Sequence, residues 1–239
     1  MLTDPQLQQI LPNLAQAKRA LYLPALNQAM AACGVNSLLR TAAFAAQLAH
    51  ESGEFRWMEE IWGPTVAQLG YEPPAAKAAR LGNTQPGDGK RFKGRGPIQI
   101  TGRFNYKRYG DLLDVDLTAD PSQAAAPEVA FLTAGLFWKT NGLNELADAQ
   151  QFVTITRRIN GAENGLADRQ KYYERAKAVL QATGFVADAV VRGTTARRIV
   201  IPDGLEPLPR GDERAVPSPV QLVAKKAVAK KAAARRNLA

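Results

Sequence analysis

Between Leu2 and about Ala182, apolar residues recur at helical spacing. Leu7, Ile10, Leu11 and Leu14 stand at i, i+3, i+4 and i+7, one face of a helix. Asp4-Pro5 supplies a cap followed by a first-turn proline. The same reading predicts helices over 22–33, 38–51, 122–141 and 167–182, with a shorter one over 150–159. The Ala-rich text TAAFAAQLAHES suits a helix packed closely against its neighbours, with Leu39, Ala42, Ala43, Ala46, Leu48 and Ala49 as its buried stripe.

The pattern breaks at residues 82–97, GNTQPGDGKRFKGRGP, where five glycines and two prolines fall in one stretch and predict a long loop without a regular helix. Long loops inside compact domains usually serve function. The following IQIT, residues 98–101, alternates apolar and polar side chains and predicts a short strand. After Thr183-Gly184 the helical pattern ends. VADAVVRGTTARRIVIP has room for one short strand or helix, and IPDGLEPLPRGDERAVPSP carries five prolines and reads as linker. No internal repeat of 20–50 residues is visible up to that point.

Charge sharpens this division. Residues 1–184 hold 20 Lys and Arg against 17 Asp and Glu, a net +3; residues 185–239 hold 11 against 5, a net +6. The final QLVAKKAVAKKAAARRNLA spreads its cations around nearly the whole helical wheel, which makes a poor amphipathic membrane helix. A disordered cationic tail is expected, with a polyanion as its partner: anionic envelope polymers, or alternatively nucleic acid.

Composition removes several classes. A chain of 239 residues and 25.9 kDa, 46% hydrophobic and 22% charged, is neither collagen-like, disulfide-built nor wholly disordered. No run approaches 18 apolar residues, so no membrane span is expected. The N-terminus lacks the basic-then-apolar order of a signal peptide, so cytoplasmic synthesis is expected. Cys33 stands alone in the apolar AMAACGV and reads as a small buried hydrophobe. One cysteine and one histidine exclude a zinc site built from several such ligands. No metal or cofactor is expected.

Four features carry candidate chemistry. His50-Glu51-Ser52-Gly53 ends the Ala-rich helix, and Glu59-Glu60 follow eight and nine residues after Glu51. Glycosidic hydrolysis needs one carboxyl group to protonate the leaving oxygen and another to activate water or attack the sugar. Taken alone, such a pair also fits a solvated acidic face. The loop's Lys90, Arg91, Lys93 and Arg95 match no phosphate-binding glycine motif, which leaves shaping of a groove. Gln99, Thr101 and Asn105, among Phe104 and Tyr106, suit sugar binding, because sugars offer both hydroxyls and C–H faces. They equally suit turns and caps. Finally, TRRINGAENGLADR, residues 156–169, holds two Asn-Gly turns, and Glu163 and Arg169 could pair to set the charge of a catalytic carboxylate.

In order, HESGEF, GNTQPGDGKRFKGRGPIQITGRFNY, FWKTNGLNELAD and TRRINGAENGLADR strongly resemble the family 19 glycoside hydrolases. That family includes plant-type chitinases, and the sequence looks most like its bacterial and phage endolysin branch. The resemblance runs from about residue 3 to 182. It implies Glu51 as general acid, Glu60 as general base with Glu59 beside it, and Thr101 as a holder of the attacking water. It further implies sugar contacts at Gln99, Phe104, Asn105 and Asn160, and a supporting pair Glu163–Arg169. The family inverts, so the carboxyl groups are expected about 6.5–9.5 Å apart. Two departures stand out: Glu54 replaces a glycine of HESGGF, and Ala162 replaces a glycine of INGG.

The expectation is therefore a mainly α, lysozyme-like, two-lobed helical domain over 1–184, with a small β-hairpin and a central substrate cleft. A Pro-rich linker over 185–220 and a basic tail over 221–239 follow it. As implied by the resemblance, this would be a monomeric inverting β-1,4-glycosidase. Its expected substrate is peptidoglycan, as an endolysin acting on the cell wall after release; chitin or chito-oligosaccharides are the alternative. A non-catalytic wall- or polyanion-binding protein is the reading from another class.

Overall fold

A computed structural model describes residues 1–185 and 205–211. The predicted linker residues 186–204 and 212–220, the undecided element in VADAVVRGTTARRIVIP and the basic tail lie outside the described residues. The fold is mainly helical: α1 (Asp4–Ile10), α2 (Gln16–Ala32), α3 (Leu38–Ser52), α4 (Val66–Leu69), α5 (Ala76–Arg80), α6 (Asp88–Arg91), α7 (Arg103–Leu113), α8 (Pro127–Thr140), α9 (Leu143–Asp148), α10 (Phe152–Asn160) and α11 (Leu166–Ala182). Among the described residues no helix is long and apolar enough to cross a membrane.

The periodic segments fold as predicted, with local corrections. Thr3, not Asp4, caps α1: its hydroxyl accepts from the Gln6 amide while Gln6 reaches back to the Thr3 amide. Helix α2 starts before the predicted range and carries Pro24 inside it. The predicted 122–141 helix divides, because Pro127 cannot donate its backbone hydrogen bond; a 3₁₀ turn, Pro121–Ala125, precedes α8. Helices α4, α5 and α9 lie outside the predicted segments, and so does α7. Its buried face is Tyr106, Tyr109, Gly110 and Leu113, a helical spacing written mostly in tyrosines.

The glycine-rich loop also differs. One helical turn, Asp88–Arg91, forms within it. IQIT is no extended strand: Gln99 takes a left-handed φ of 59°. The Arg95 and Ile100 amides and carbonyls bond reciprocally at 3.1 and 2.9 Å around the 96–99 turn, and Arg95 also bridges Glu59. The expected hairpin is thus reduced to single paired residues. Gln99 and Thr101 do not share a strand face.

Two helix pairings dominate the interior, α3 with α11 and α2 with α8. Between them lie edge-to-face aromatics: Phe55 meets Tyr22 at 6.1 Å and Phe131 at 5.0 Å, and Phe44 meets Trp138 at 5.2 Å between ring centres. The Trp138 indole donates to Asn144, whose amide donates to the Cys33 carbonyl, both at 2.9 Å. Cys33 is fully buried, and burial pushes its thiol up to about 12, against a smaller opposing effect from Lys139.

Helix α8 approaches α2 so closely at Gly135 that a Cβ there would lie 2.7 Å from the Cys33 sulfur and 3.2 Å from the Ala29 carbonyl oxygen. Gly→Ala within a helix ordinarily gains about 0.5–1 kcal/mol. Here Gly135→Ala is expected to lose ~1–3 kcal/mol through overpacking, measured by urea unfolding. Adding Cys33→Ala should restore part of the loss.

Candidate active site

Glu51 occupies the penultimate position of α3 and is 1% exposed. The helix ends at Gly53 with φ 61°, and Glu54 and Phe55 continue in the left-handed region at 57° and 59°. Such a run is sterically costly for side-chain-bearing residues. The burial of Phe55 between Tyr22 and Phe131 and the contacts of Glu54 hold it in place.

Two guanidinium groups cover the Glu51 carboxylate. Arg169, fully buried on α11, donates to Oε1, to the Gln47 side chain one turn earlier on α3 at 2.5 Å, and to the Asn164 carbonyl at 3.1 Å. Gln47 in turn donates to Thr156 at 2.8 Å. Arg210, from the 205–211 segment, donates to Oε2 at 2.7 Å. Burial alone would push the Glu51 carboxyl up. Arg210 and Arg169 together outweigh it and hold the group at about 2. In this arrangement Glu51 is a carboxylate, not a proton donor.

Glu60 has different company. Buried beside the loop, it accepts from the Gly94 amide at 2.9 Å and the Gln68 side chain at 3.0 Å, while its own amide donates to the Gly94 carbonyl at 2.8 Å. Gln68 stands on α4 and caps that turn with Thr65. Glu59 instead takes Arg95 at 2.9 Å and Lys93 at 3.3 Å and is half exposed. The neighbours separate: Glu59 closes an ion cluster on the loop, and Glu60 faces inward on neutral donors.

Thr101 is buried; its hydroxyl donates to the Gln99 carbonyl at 3.0 Å, and its amide donates to the Arg210 carbonyl at 2.7 Å. Asn105, on α7, donates to the Thr101 carbonyl at 2.7 Å, while its buried Oδ1 has no partner. The Gln99 amide is turned inward to the Gly96 and Trp57 carbonyls at 2.7 and 3.3 Å. Phe104 is 53% exposed beside Gly82. Asn160 ends α10 and accepts from Asn164 at 2.9 Å. Glu51 and Thr101 meet through Arg210, with Asn105 on Thr101. Glu60 and Gln99 both lie against Gly94. No described contact ties Phe104 or Asn160 to either carboxylate.

The expected Glu163–Arg169 pair is not present. Arg169 is wholly engaged by α3 and Asn164, while Glu163 bonds the exposed Arg157 six residues earlier. The physical reason is proximity: α11 packs on α3, which brings Arg169 directly to Glu51 without an intermediary. Glu54 is buried but occupied, accepting from Asn13 at 2.8 and 2.9 Å and from the Tyr172 hydroxyl at 2.9 Å. Ala162 lies outside the left-handed region, so it replaces glycine without strain there.

Two of the loop's arginines have structural partners. Arg91 donates to the Thr118 and Ala119 carbonyls, and Arg95 bonds Tyr106 and the Arg91 carbonyl. Asp88 binds the Thr84 and Gln85 amides and Arg103, whose hydrogen bonds hold its carboxyl below the ordinary value despite burial. Sequence reasoning missed Gln47, Gln68 and Arg210. Gln47 stands i, i+4 from Glu51, a usable signal; the proline-rich text around Arg210 offers none.

Glu51 and Glu60 are thus buried carboxylates in unlike environments, Glu51 joined to Thr101 through Arg210 and Glu60 held against Gly94. A family model described as Chitinase class I matches residues 28–182. The chain is 32% identical over 197 residues to a glycosyl hydrolase family 19 domain-containing protein of Haemophilus influenzae, covering 72% of this chain and 94% of that one. With an Arabidopsis thaliana endochitinase it shares 43% over 123 residues, covering 51% of this chain and 39% of that protein. Thus it spans about two fifths of the plant relative's length. Chitinase C from Streptomyces griseus superposes at a TM-score of 0.56 with 25% identity, over 79% of this chain and 78% of that one. A class IV family 19 chitinase from Zea mays gives 0.55 at 26%, over 75% and 92%. The chain belongs to glycoside hydrolase family 19, and its fold is that family's lysozyme-like helical fold.

Glu51 also links stability to pH. Its folded value of about 2 lies below the ordinary 4.5, so its contribution is complete above pH 4.5 and is lost as pH falls toward 2. Unfolding free energies from urea titrations should therefore fall over that window by up to ~1.4 kcal/mol per pH unit. The Glu51→Gln chain should lack this component.

Proposed function

We propose that this chain hydrolyses β-1,4 bonds of amino-sugar polymers in a single inverting displacement. The observation that carries the reading is the pair of buried carboxylates on separate elements, Glu51 on arginines and Glu60 on neutral amides. In its protonated form Glu51 delivers a proton to the leaving glycosidic oxygen. Glu60, oriented by Gly94 and Gln68, takes a proton from a water held with Thr101, and that water attacks the anomeric carbon from the opposite face. The unpaired Asn105 Oδ1 is an acceptor for a sugar N–H or O–H. Proton donation requires Glu51 protonated, and the Arg210 guanidinium opposes that form.

For the polymer we assign peptidoglycan, cleaved in the manner of an endolysin. Supporting this are the near full-length match to the bacterial relative and the six cations without an acid after Pro217, which suit an anionic envelope. Chitin is the second reading, favoured by the endochitinase name of the plant relative.

Replacing Glu51 or Glu60 by Gln should each lower turnover by about 10²–10⁴-fold, the usual weight of acid–base catalysis, with the fold retained by circular dichroism. NMR of fresh products should show the inverted anomer. Mass spectrometry after parallel digestion of purified peptidoglycan and chitin oligosaccharides should show muropeptides with new reducing ends and little chitin cleavage; the reverse selects chitin. Deleting residues 220–239 should weaken sedimentation with whole envelopes, most at low salt, and leave rates on soluble oligosaccharides unchanged.

A further inference from the structure

The stretch Leu205–Gly211, within the predicted linker, lies against the site. Leu208 is fully buried in the hydrophobic core; its amide donates to the Thr140 hydroxyl at 3.2 Å and its carbonyl accepts from Asn141 at 3.0 Å. The Glu206 carbonyl accepts from Arg108 at 3.4 Å. Pro207 and Pro209 flank the anchor and restrict the chain before it docks, which lowers the entropy lost on docking. From that anchor the segment runs onto the catalytic groups. The Arg210 carbonyl takes the Thr101 amide at 2.7 Å, and its guanidinium donates to Glu51 Oε2 at 2.7 Å and the Ile98 carbonyl at 3.4 Å. Gly211 lies beside Thr101, close enough that a Cβ would stand 3.5 Å from the threonine's own Cβ.

We propose that residues 205–211 form an autoinhibitory strap: docked, it covers Glu51 and Thr101 in place of substrate, and a glycan must displace it before the bond can be cut. This rests on the glycosidase reading of Glu51 and Thr101. The geometry leaves no alternative use of the acid while the strap is down. Arg169 holds one carboxylate oxygen and Arg210 the other, at 1% exposure, so no glycosidic oxygen can reach the group. A guanidinium is also the one side chain that cannot yield its proton, so it holds Glu51 as a bare anion. The two arginines differ in attachment. Arg169 is fixed inside α11 and bonded to Gln47, whereas Arg210 comes from a segment without regular structure, held by the buried Leu208 side chain and a few hydrogen bonds. Displacement therefore removes one cation, leaving Glu51 facing Arg169 from α11 and its neighbour His50, whose ring burial holds below the ordinary histidine value. Burial then counts for more, and the carboxyl moves toward the protonated form that acid catalysis needs.

The test uses the full chain with Arg210→Ala, and separately Leu208→Asp, which removes the anchor and leaves Arg210 intact. On soluble chito-oligosaccharide both variants should raise kcat/KM at neutral pH by at least about tenfold, the factor for a site open one tenth of the time. In Arg210→Ala the alkaline limb of the pH profile should also move to higher pH, since a cation has left the acid. Independently of turnover, Glu60→Gln chain given the same saccharide should exchange amide hydrogens faster across 205–211. Equal or lower rates in both variants, or slower exchange on saccharide binding, would make the segment part of the substrate-binding wall and overturn the strap. Absence of cleavage and of saccharide binding in every variant would instead remove the glycosidase reading, and the strap with it.

Discussion

A buried carboxylate must be neutralised where it stands, and at Glu51 that demand organises much of the molecule. Arg169 is itself fully buried, so removing either charge costs stability by leaving the other without its counter-ion. Gln47 and Asn164 each take one of the other guanidinium nitrogens, and Thr156 takes the Gln47 amide. The α3–α11 pairing thus closes over a polar network whose members are tied to one register. Sliding either helix by a turn would strand a charge in the core. The same pair that joins the helices therefore fixes where the acid points.

The loop that orients Glu60 is held by different means. Few apolar side chains are available in residues 82–97, so the loop takes its shape from side chains bonded to its backbone. Asp88 gathers Thr84 and Gln85, Glu72 gathers Gly87 and Lys90, and Tyr106 donates to the Lys93 carbonyl at 2.6 Å. The Gly94 amide, presented by that frame, orients Glu60. At Gly94 a Cβ would lie 2.5 Å from the Gln99 side-chain oxygen, so a larger residue there would displace that amide. A site built on a rigid frame holds its groups more closely than one built on a free loop.

At Glu51 the packing and the proposed acid role place opposite demands on charge. The packing favours an ionised Glu51, since that form satisfies Arg169, whereas acid catalysis needs the proton. Burial is the force that favours the proton, and the number of guanidinium groups decides the balance. A second arginine delivered by a separate segment shifts that balance further toward the ionised form.

Much of this was legible in the chain itself. The helices carrying Glu51, Arg169 and Asn160 follow from apolar spacing, because burying one face of a helix dictates a period that any reader of the string can count. The ordered motifs placed the carboxylates and Thr101 within family 19. What failed involved partners distant in sequence or backbone turns set by neighbours. Gln99 is left-handed because the 95–100 pairing closes a tight turn there; α7 hid its face in tyrosines; Arg169 chose Glu51 over Glu163 because α11 lies on α3. Leu208 and Arg210 looked like linker, since a proline-rich string does not show what it will dock against. Sequence by itself determined the long apolar helices and which side chains could do chemistry, for those depend on local period and residue type. Only the tertiary structure decided which charges meet, because a buried ion pair is chosen by packing between residues more than a hundred positions apart.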